Sequence, residues 1–593
     1  MGTFHLALSM AGTVSAGTYT GGTLVELNNW LANWQNIRTA KNGIKLKAIK
    51  DTANFKKGDL ITIAKEEIPD HHVKIKTLTG ASGGGISAAL FMLGLTTDKV
   101  EEFLRDTWTE IDVRGMLDSD DLERKKIYSL LNVKPIDDLV QKLRNERWSS
   151  ENYAEGLDYL SDNIEIFLTL ASYEGIPFKI SPVQANNVSY GIQKTHLDYI
   201  KFNFSKNQDF PDLSSIQYLP WGYQLFFRKN EYFKNDNNWL KLIESAPATA
   251  AFPFGFKPRS LKRLRKEYTG KLFYLGYTIS GSKIDYSTLD PEWPCGNPDD
   301  DFEMEYIDGG TFNRDPHDLA RASLMQSLGI KGQIPHDGIN TNACVILLDP
   351  FPTNFDLQKK PGDTVIGIPS LFKQPQYFVG STVDQGRFRP DWIEKAVDNT
   401  YYSRFFISPT RRDSANQEAA LPLAAGLLGA FSGFLDQSFR EHDYKLGRYN
   451  TYQFLSNYFC VPETNKEITY CQNASPATKE KYEAIGWYIP NNSNGLCQII
   501  PRTEEPGLIN SLQPPVWPSM SLDKWEELRA MALNRAKRLC DSMTDFSLPL
   551  EMIADPLIWH KYVKSRAEEQ LNTIEKELIK YGLLRKEHNS FPS

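Results

Sequence analysis

Two short stretches carry residue types that can do chemistry. The first is Gly80-Ala81-Ser82-Gly83-Gly84, within VKIKTLTGASGGGISAALFMLGL, Val73 to Leu95. It reads as a strand, a glycine-rich turn and a helix, with the turn in G-x-S-x-G form. Such a turn is sharp and strained, so its flanking residues must be small, and the serine hydroxyl projects above the sheet. The N-terminus of the following helix offers unpaired N–H groups and positive partial charge, both of which favour a developing oxyanion. The second stretch is Asp308-Gly309-Gly310, directly after a strand-like run, Phe302 to Ile307. That puts a carboxylate at the C-terminal edge of a strand, where chemistry collects in α/β sheets. Taken alone, the second stretch also fits an ordinary Asp-Gly turn.

The same letters admit a rival. TGASGGGI approaches the TGxxxGxG turn of short-chain dehydrogenases, where glycines carry a pyrophosphate on a helix N-terminus, and Tyr190 and Lys194 supply a Y-x-x-x-K. Three features oppose an oxidoreductase using NAD(P). Ile86 stands where the last glycine is required. The acidic residue expected roughly 20 positions on falls in KVEEFLRD, which reads as helix rather than a strand end. NNVSYGIQK puts a glycine inside the supposed catalytic helix, and a chance spacing in a polar strand accounts better for the pair.

The elements that must position these groups are partly readable. Phe4 to Leu8 has the pattern of a short buried strand, followed by a small-residue loop, Ala11 to Gly22. Thr23 to Trp34 reads as a helix with Leu24, Leu27 and Leu31 on one side. Residues 36–72 hold two alternating runs about a KKGD turn, the pattern of a hairpin. Val73 to Leu78 is the next strand and Ile86 to Leu95 the helix after it. Residues 97–245 are polar, aromatic and irregularly helical in pattern, with no topology assigned. Ala343 to Leu348, ACVILL, is a fully apolar strand. Near the C-terminus two helical stripes recur: Trp525, Leu528, Ala532, Ala536, Leu539 and Val563, Ala567, Leu571, Ile574, Leu578. Strands separated by helices predict a three-layer α/β core.

Composition bounds the function classes. With 593 residues, 41% hydrophobic and 24% charged, the chain can bury a large core. A net charge of −7 argues against a general nucleic-acid binder. Six sparse cysteines, Cys295, Cys344, Cys460, Cys471, Cys497 and Cys540, form no CxxC pair, which predicts no zinc site and fits a reducing, cytoplasmic compartment. The start, MGTFHLALSMAG, has no basic region or long apolar core of a secretory leader. The uncharged run Ala419 to Leu435, with Pro422 and three glycines, is shorter than the roughly 20 residues of a membrane-spanning helix and is expected to be a buried helix. His71-His72 reads as a solvated pair at a strand entrance rather than a metal site.

A small-residue loop after the first strand, then G-x-S-x-G, then D-G-G, in that order, resembles the patatin-like phospholipases. Further blocks agree. ATAAFPFGFKP, Ala248 to Pro258, is similar to the A-S-x-A-F-P segment of patatins. DGGTFNRDP resembles their D-G-G followed by Asn and Pro, with Asn313 in place. REHDYKLGRYNTYQFL, Arg440 to Leu455, looks like a late block of long bacterial members. The resemblance implies a patatin-like core, a central mixed sheet flanked by helices, over residues 1–460. Long insertions would fall near 36–72 and 97–245, and a mostly helical extension would follow over 461–593.

It also implies a Ser-Asp dyad: Ser82 as nucleophile, Asp308 as general base and acid, with no histidine, metal or organic cofactor required. Gly80, Gly84, Gly309 and Gly310 are the motif glycines. Backbone N–H groups of Gly12, Thr13, Val14, Gly17 and Gly83 would form the oxyanion hole. Here the chain departs from the family's G-x-G-x-x-G loop: Val14 replaces the middle glycine and Ala16 the usual basic residue. A Ser-His-Asp triad through His317 or His442 is the alternative. A degenerate, regulatory patatin-like module is another, which the intact Ser82 and Asp308 oppose. The implied substrate is a phospholipid or other lipid ester, met during transient contact with the inner face of a membrane. Phe252, Phe254 and Phe256 are expected on a loop beside the site.

Overall fold

The computed structural model describes residues 2–122, 126–145, 153–180, 191–206, 221–225, 237–268, 271, 276–280, 283–287, 291, 297, 299–351, 381–382, 385–386, 400–413, 415–490, 495–503, 513–543 and 556–585. The chain enters through β1 (Thr3–Met10). Phe4, Leu6, Leu8 and Met10 face a large apolar cluster, whereas Ala7 joins a second cluster on the opposite face with Ala320, Leu324, Ala343 and Val345. This period-two division is what a central strand between two helical layers requires. Each large side chain so buried contributes on the order of 1.5–3 kcal/mol.

After β1 a single turn of 3-10 helix, Val14–Ala16, leads into helix α1 (Gly17–Arg38). The helix therefore starts at Gly17, inside the span expected to be a loop to Gly22. Its glycines are there for space. A side chain on Gly22 would begin 2.0 Å from the carbonyl oxygen of Tyr444, and one on Gly447 2.2 Å from that of Tyr19. α1 and the helix Gln437–Asn457 cross nearly backbone to backbone. β2 (Ile44–Lys47) and β3 (Leu60–Ile63) form the expected antiparallel hairpin. β4 (His72–Gly80) then runs to the serine turn, and α2 (Gly83–Thr97) leaves it. His71, at the entrance to β4, is buried, not solvated. Its Nε2 lies 2.9 Å from the carbonyl oxygen of Ile499, its ring stacks on Tyr470, and burial holds its pKa down to about 4.

Residues 97–245 differ most from expectation. They contain β5 (Leu160–Ile180) and β6 (Gly191–Ser205), a long antiparallel pair, with β7 (Tyr223–Leu225) beside β6. The sheet is completed by β8 (Arg259–Leu264), β11 (Asp301–Asp308), β12 (Ala343–Leu348) and β13 (Arg404–Ile407). β9 (Gly276–Ser280) and β10 (Lys283–Ser287) form a separate hairpin. The main order is β13-β12-β1-β4-β5-β11-β8, with β6 and β7 also joined through β5. β13, β12, β1, β4 and β5 are mutually parallel, and β11 is antiparallel to both β5 and β8. Helix His317–Ser327 covers the face opposite α1 and α2. This is a mixed α/β sheet between helical layers.

The run Ala419 to Leu435 forms no regular α-helix. It winds through three short 3-10 turns, Ala424–Gly426, Leu428–Ala430 and Ser432–Leu435, because Gly429 and its neighbours Leu428 and Ala430 take positive φ. The C-terminal helices Leu522–Met543 and Pro556–Lys580 lie against it. Trp525, Leu528 and Leu578 share a small core with Ala424, Leu435 and Phe439. Cys460–Pro462, Tyr488–Ile489 and Leu496–Gln498 form a three-stranded sheet whose Val461 and Cys497 pack in the main core. Among the described residues no helix is long and apolar enough to cross a membrane.

Candidate active site

β5 acts as the ruler that brings the two chemical groups together. One of its edges is taken by β6. Along the other, β4 runs parallel and ends with Gly80 opposite Leu168, while β11 runs antiparallel and ends with Asp308 opposite Leu170. Two strands thus point their C-terminal ends at each other across two residues of β5. The turn after β4 presents Ser82 and the last residue of β11 is Asp308. Ser82 Oγ donates to Asp308 Oδ2 at 2.6 Å.

Ser82 holds φ +53 and ψ −129, a conformation that costs a non-glycine residue on the order of 1–3 kcal/mol and lifts its side chain off the sheet. The motif glycines permit that turn. Side chains on Gly80 and Gly84 would begin 2.5 Å from the carbonyl oxygen of Gly84 and 2.4 Å from that of Ala11, respectively. One on Gly309 would begin 2.2 Å from the carbonyl oxygen of Thr169. Asp308 Oδ1 accepts from the N–H of Gly310 at 2.7 Å. Ser82 and Asp308 are only 7% and 4% exposed. Burial raises the Asp308 carboxyl to about 6, against the hydrogen bonds from Ser82 and Gly310 and the Arg314 charge, which hold it down.

The block Ala248 to Pro258 braces both members. Thr249 Oγ1 accepts from the Ser82 N–H at 3.0 Å, and the Ala251 carbonyl accepts from the Asp308 N–H at 2.9 Å. Neither candidate histidine is hydrogen-bonded to the pair among the described residues. His317 Nδ1 lies 3.0 Å from the carbonyl oxygen of Asp315. His442 Nδ1 lies 2.8 Å from Asp443 Oδ1, and its ring stands edge-on to Trp517.

Residues 63–321 match the family model of patatin-like phospholipases. That segment is a patatin-like phospholipase domain. An uncharacterized protein, y4iI, of Sinorhizobium fredii (strain NBRC 101917 / NGR234) is 23% identical over 513 residues, which is 80% of this chain and 67% of that one. The family is one of lipid acyl hydrolases acting on lipid substrates. The patatin-like sheet reaches beyond the matched residues, since β1, β12 and β13 belong to it.

The glycine loop after β1 lies outside the match and is less simple than the resemblance implies. Two of the five expected oxyanion donors are spent: the Gly12 N–H donates to the Arg314 carbonyl at 3.0 Å, and the Gly17 N–H to the Val14 carbonyl. Thr13, Val14 and Gly83 remain. Their N–H groups donate to no backbone carbonyl among the described residues, and the buried Thr13 hydroxyl is likewise unpartnered there. Val14, at φ +49, takes a backbone conformation that suits the glycine it replaces. Ser15 fixes the loop from outside. Its hydroxyl donates to the Ala430 carbonyl and accepts from the Gly433 N–H at 3.1 Å.

Of the three phenylalanines, Phe252 and Phe256 pack on Phe431, and only Phe254, at φ +65, turns outward with 65% of its surface exposed. The rival Y-x-x-x-K has no helix to stand on. Lys194 lies in β6 with its Nζ on the Glu174 carbonyl, and Tyr190 lies outside the described residues. KVEEFLRD is helical, as expected. Among the described residues no cluster of His, Cys, Asp and Glu could hold a metal.

Proposed function

We propose that the protein is a serine lipid acyl hydrolase working through a Ser82–Asp308 dyad, a phospholipase or lysophospholipase that releases fatty acid from glycerophospholipid. The observation that carries this reading is the 2.6 Å hydrogen bond from Ser82 Oγ to Asp308 Oδ2 at a strained strand-to-helix turn. Ser82 Oγ attacks the ester carbonyl and its proton passes to Asp308. An unperturbed aspartate, with a pKa of about 4, is a weak base for an alcohol. A carboxyl raised to about 6 is a better one and is still ionised at neutral pH. The tetrahedral oxyanion is met by the N–H groups of Thr13, Val14 and Gly83, each worth about 3 kcal/mol when well placed. Asp308 then protonates the leaving alcohol. Water, giving its proton to Asp308, opens the acyl-enzyme, frees the fatty acid and restores Ser82. Nothing in this cycle calls on a metal or an organic cofactor.

The family match supports a lipid ester as the substrate class, and the reading has the protein act in the cytoplasm in transient contact with a bilayer. The test is a lipid mass-spectrometric assay on liposomes, with a serine-directed phosphonate in parallel. The expected result is free fatty acid and lysophospholipid from liposomes, none from Ser82→Ala, and a phosphonate adduct on Ser82. Cleavage of short soluble esters with no action on liposomes would limit the enzyme to soluble substrates. An adduct elsewhere, with Ser82→Ala fully active, would remove the dyad.

A further inference from the structure

We infer that Arg314 is the anion receptor of this site, and that the anion it takes is the phosphodiester of a glycerophospholipid. The inference rests on the hydrolase reading and adds to it the group by which the substrate is recognised. Arg314 follows the Asp308 turn and crosses back over the serine. Its Cγ stands 3.2 Å, and its Nε 3.8 Å, from the point where a side chain on Gly12 would begin; Ser82 Cβ is 3.5 Å from that same point. Its Cβ and Cγ are each 3.9 Å from the corresponding point on Gly310. The aliphatic stem therefore lies over the seam between the loop after β1 and the turn after β11, with the guanidinium beyond it. A side chain at position 12 would crowd that course.

The guanidinium is unspent. Arg314 is partly buried, and among the described residues no hydrogen bond or ion pair engages its nitrogens. Asp308 is not within ion-pair distance of it, and its carboxylate oxygens are engaged by Ser82 and Gly310. Its charge is nevertheless felt at Asp308, the one buried carboxylate of the dyad. A cation partly withdrawn from water without a partner costs free energy, which an anion brought by the substrate would recover. The oxyanion does not need it, since the Thr13, Val14 and Gly83 N–H groups are free. A guanidinium fork matches two oxygens of a phosphodiester, which a neutral glyceride lacks.

The test compares two substrates with one acyl chain in the same mixed micelles: lysophosphatidylcholine and 1-monoacylglycerol. The quantity read is the ratio of their kcat/KM values in wild type, Arg314→Gln and Arg314→Lys, with melting temperatures recorded for each. Arg314→Gln should lower the phospholipid-to-glyceride ratio roughly 10- to 100-fold, the scale of a hydrogen bond to a charged group. Arg314→Lys should recover part of that loss. An unchanged ratio overturns the inference, whether both substrates slow together or neither does. A wild type that cleaves the glyceride and ignores the phospholipid overturns it too, while leaving the hydrolase reading intact. Turnover of neither substrate, with no phosphonate adduct on Ser82, brings down both.

Discussion

In the proposed mechanism Asp308 is a base without a histidine, a role that its burial and its hydrogen bond from Ser82 suit. Because it must be ionised to accept the Ser82 proton, kcat/KM should rise with pH through an inflection near 6, the value to which burial raises it. A flat profile between pH 5 and 8 would refute that role. The same shift has a stability consequence of opposite sense. The folded state holds this proton more tightly than the unfolded chain, whose value is near 3.8, so the carboxyl's contribution is full below that value and is lost as pH rises through about 6. Asp308→Asn should therefore melt higher than wild type at pH 8, by on the order of 2–3 kcal/mol, and show little advantage at pH 4. Its activity should fall as far as that of Ser82→Ala, and the double variant should be little worse than either. His317→Ala and His442→Ala should retain turnover, and loss in either, with the fold intact, would bring a triad back. Both dyad members were legible in the sequence because small residues around a serine and after an aspartate are visible as letters. The engagement of the Gly12 and Gly17 N–H groups was not, since their partners are backbone carbonyls, one of them about 300 positions away.

At the scale of elements, the sequence revealed the strands that carry the chemistry and missed the one that aligns them. β5 contains Ile166, Phe167, Leu168, Leu170 and Ala171, all buried, so its middle lacks the alternation that marks a strand with one wet face. The start of α1 was hidden for a different reason. Glycine and threonine are poor helix formers, yet GTYTGG is helical because a side chain at Gly17 would meet Trp108 and one at Gly22 the Tyr444 carbonyl. Close packing overrides propensity there. Two variants test this level. Gly309→Ala must push the Asp308 turn away from the Thr169 carbonyl and should cost at least about 100-fold in turnover, as expected when a reacting group is displaced by an ångström or so. Ser15→Ala removes the hydroxyl that ties the loop after β1 to Ala430 and Gly433. It should lower stability by about 1–3 kcal/mol and reduce kcat more than it raises KM. A Ser15→Ala protein with wild-type kcat would show that the loop holds its shape unaided.

At the scale of the whole molecule, three exposed apolar residues lie together where the Ala248 to Pro258 block surfaces. Phe254 (65% exposed), Leu130 (56%) and Tyr128 (58%) are held together by a bond from the Leu130 N–H to the Phe254 carbonyl at 2.8 Å, and Lys257 caps the Tyr128 ring. In an inactive Ser82→Ala background, Phe254→Asp should reduce co-sedimentation with anionic phospholipid vesicles several-fold, since burying one such ring contributes on the order of 1.5–3 kcal/mol. Unchanged binding would place the docking surface elsewhere. The meeting of β4 and β11 on β5 has one more consequence, in time rather than space. Ser82 and Asp308 are separated by 226 residues, and the loop after β1 is tied to a segment more than 400 residues after it. No local folding event can make a working site. A chain emerging from the ribosome carries Ser82 long before it carries Asp308, and longer still before the loop is latched, so the site can assemble only after Gly433 has been made. On refolding from denaturant, reactivity of Ser82 toward a phosphonate should accordingly return in the slowest phase, after helical signal has recovered.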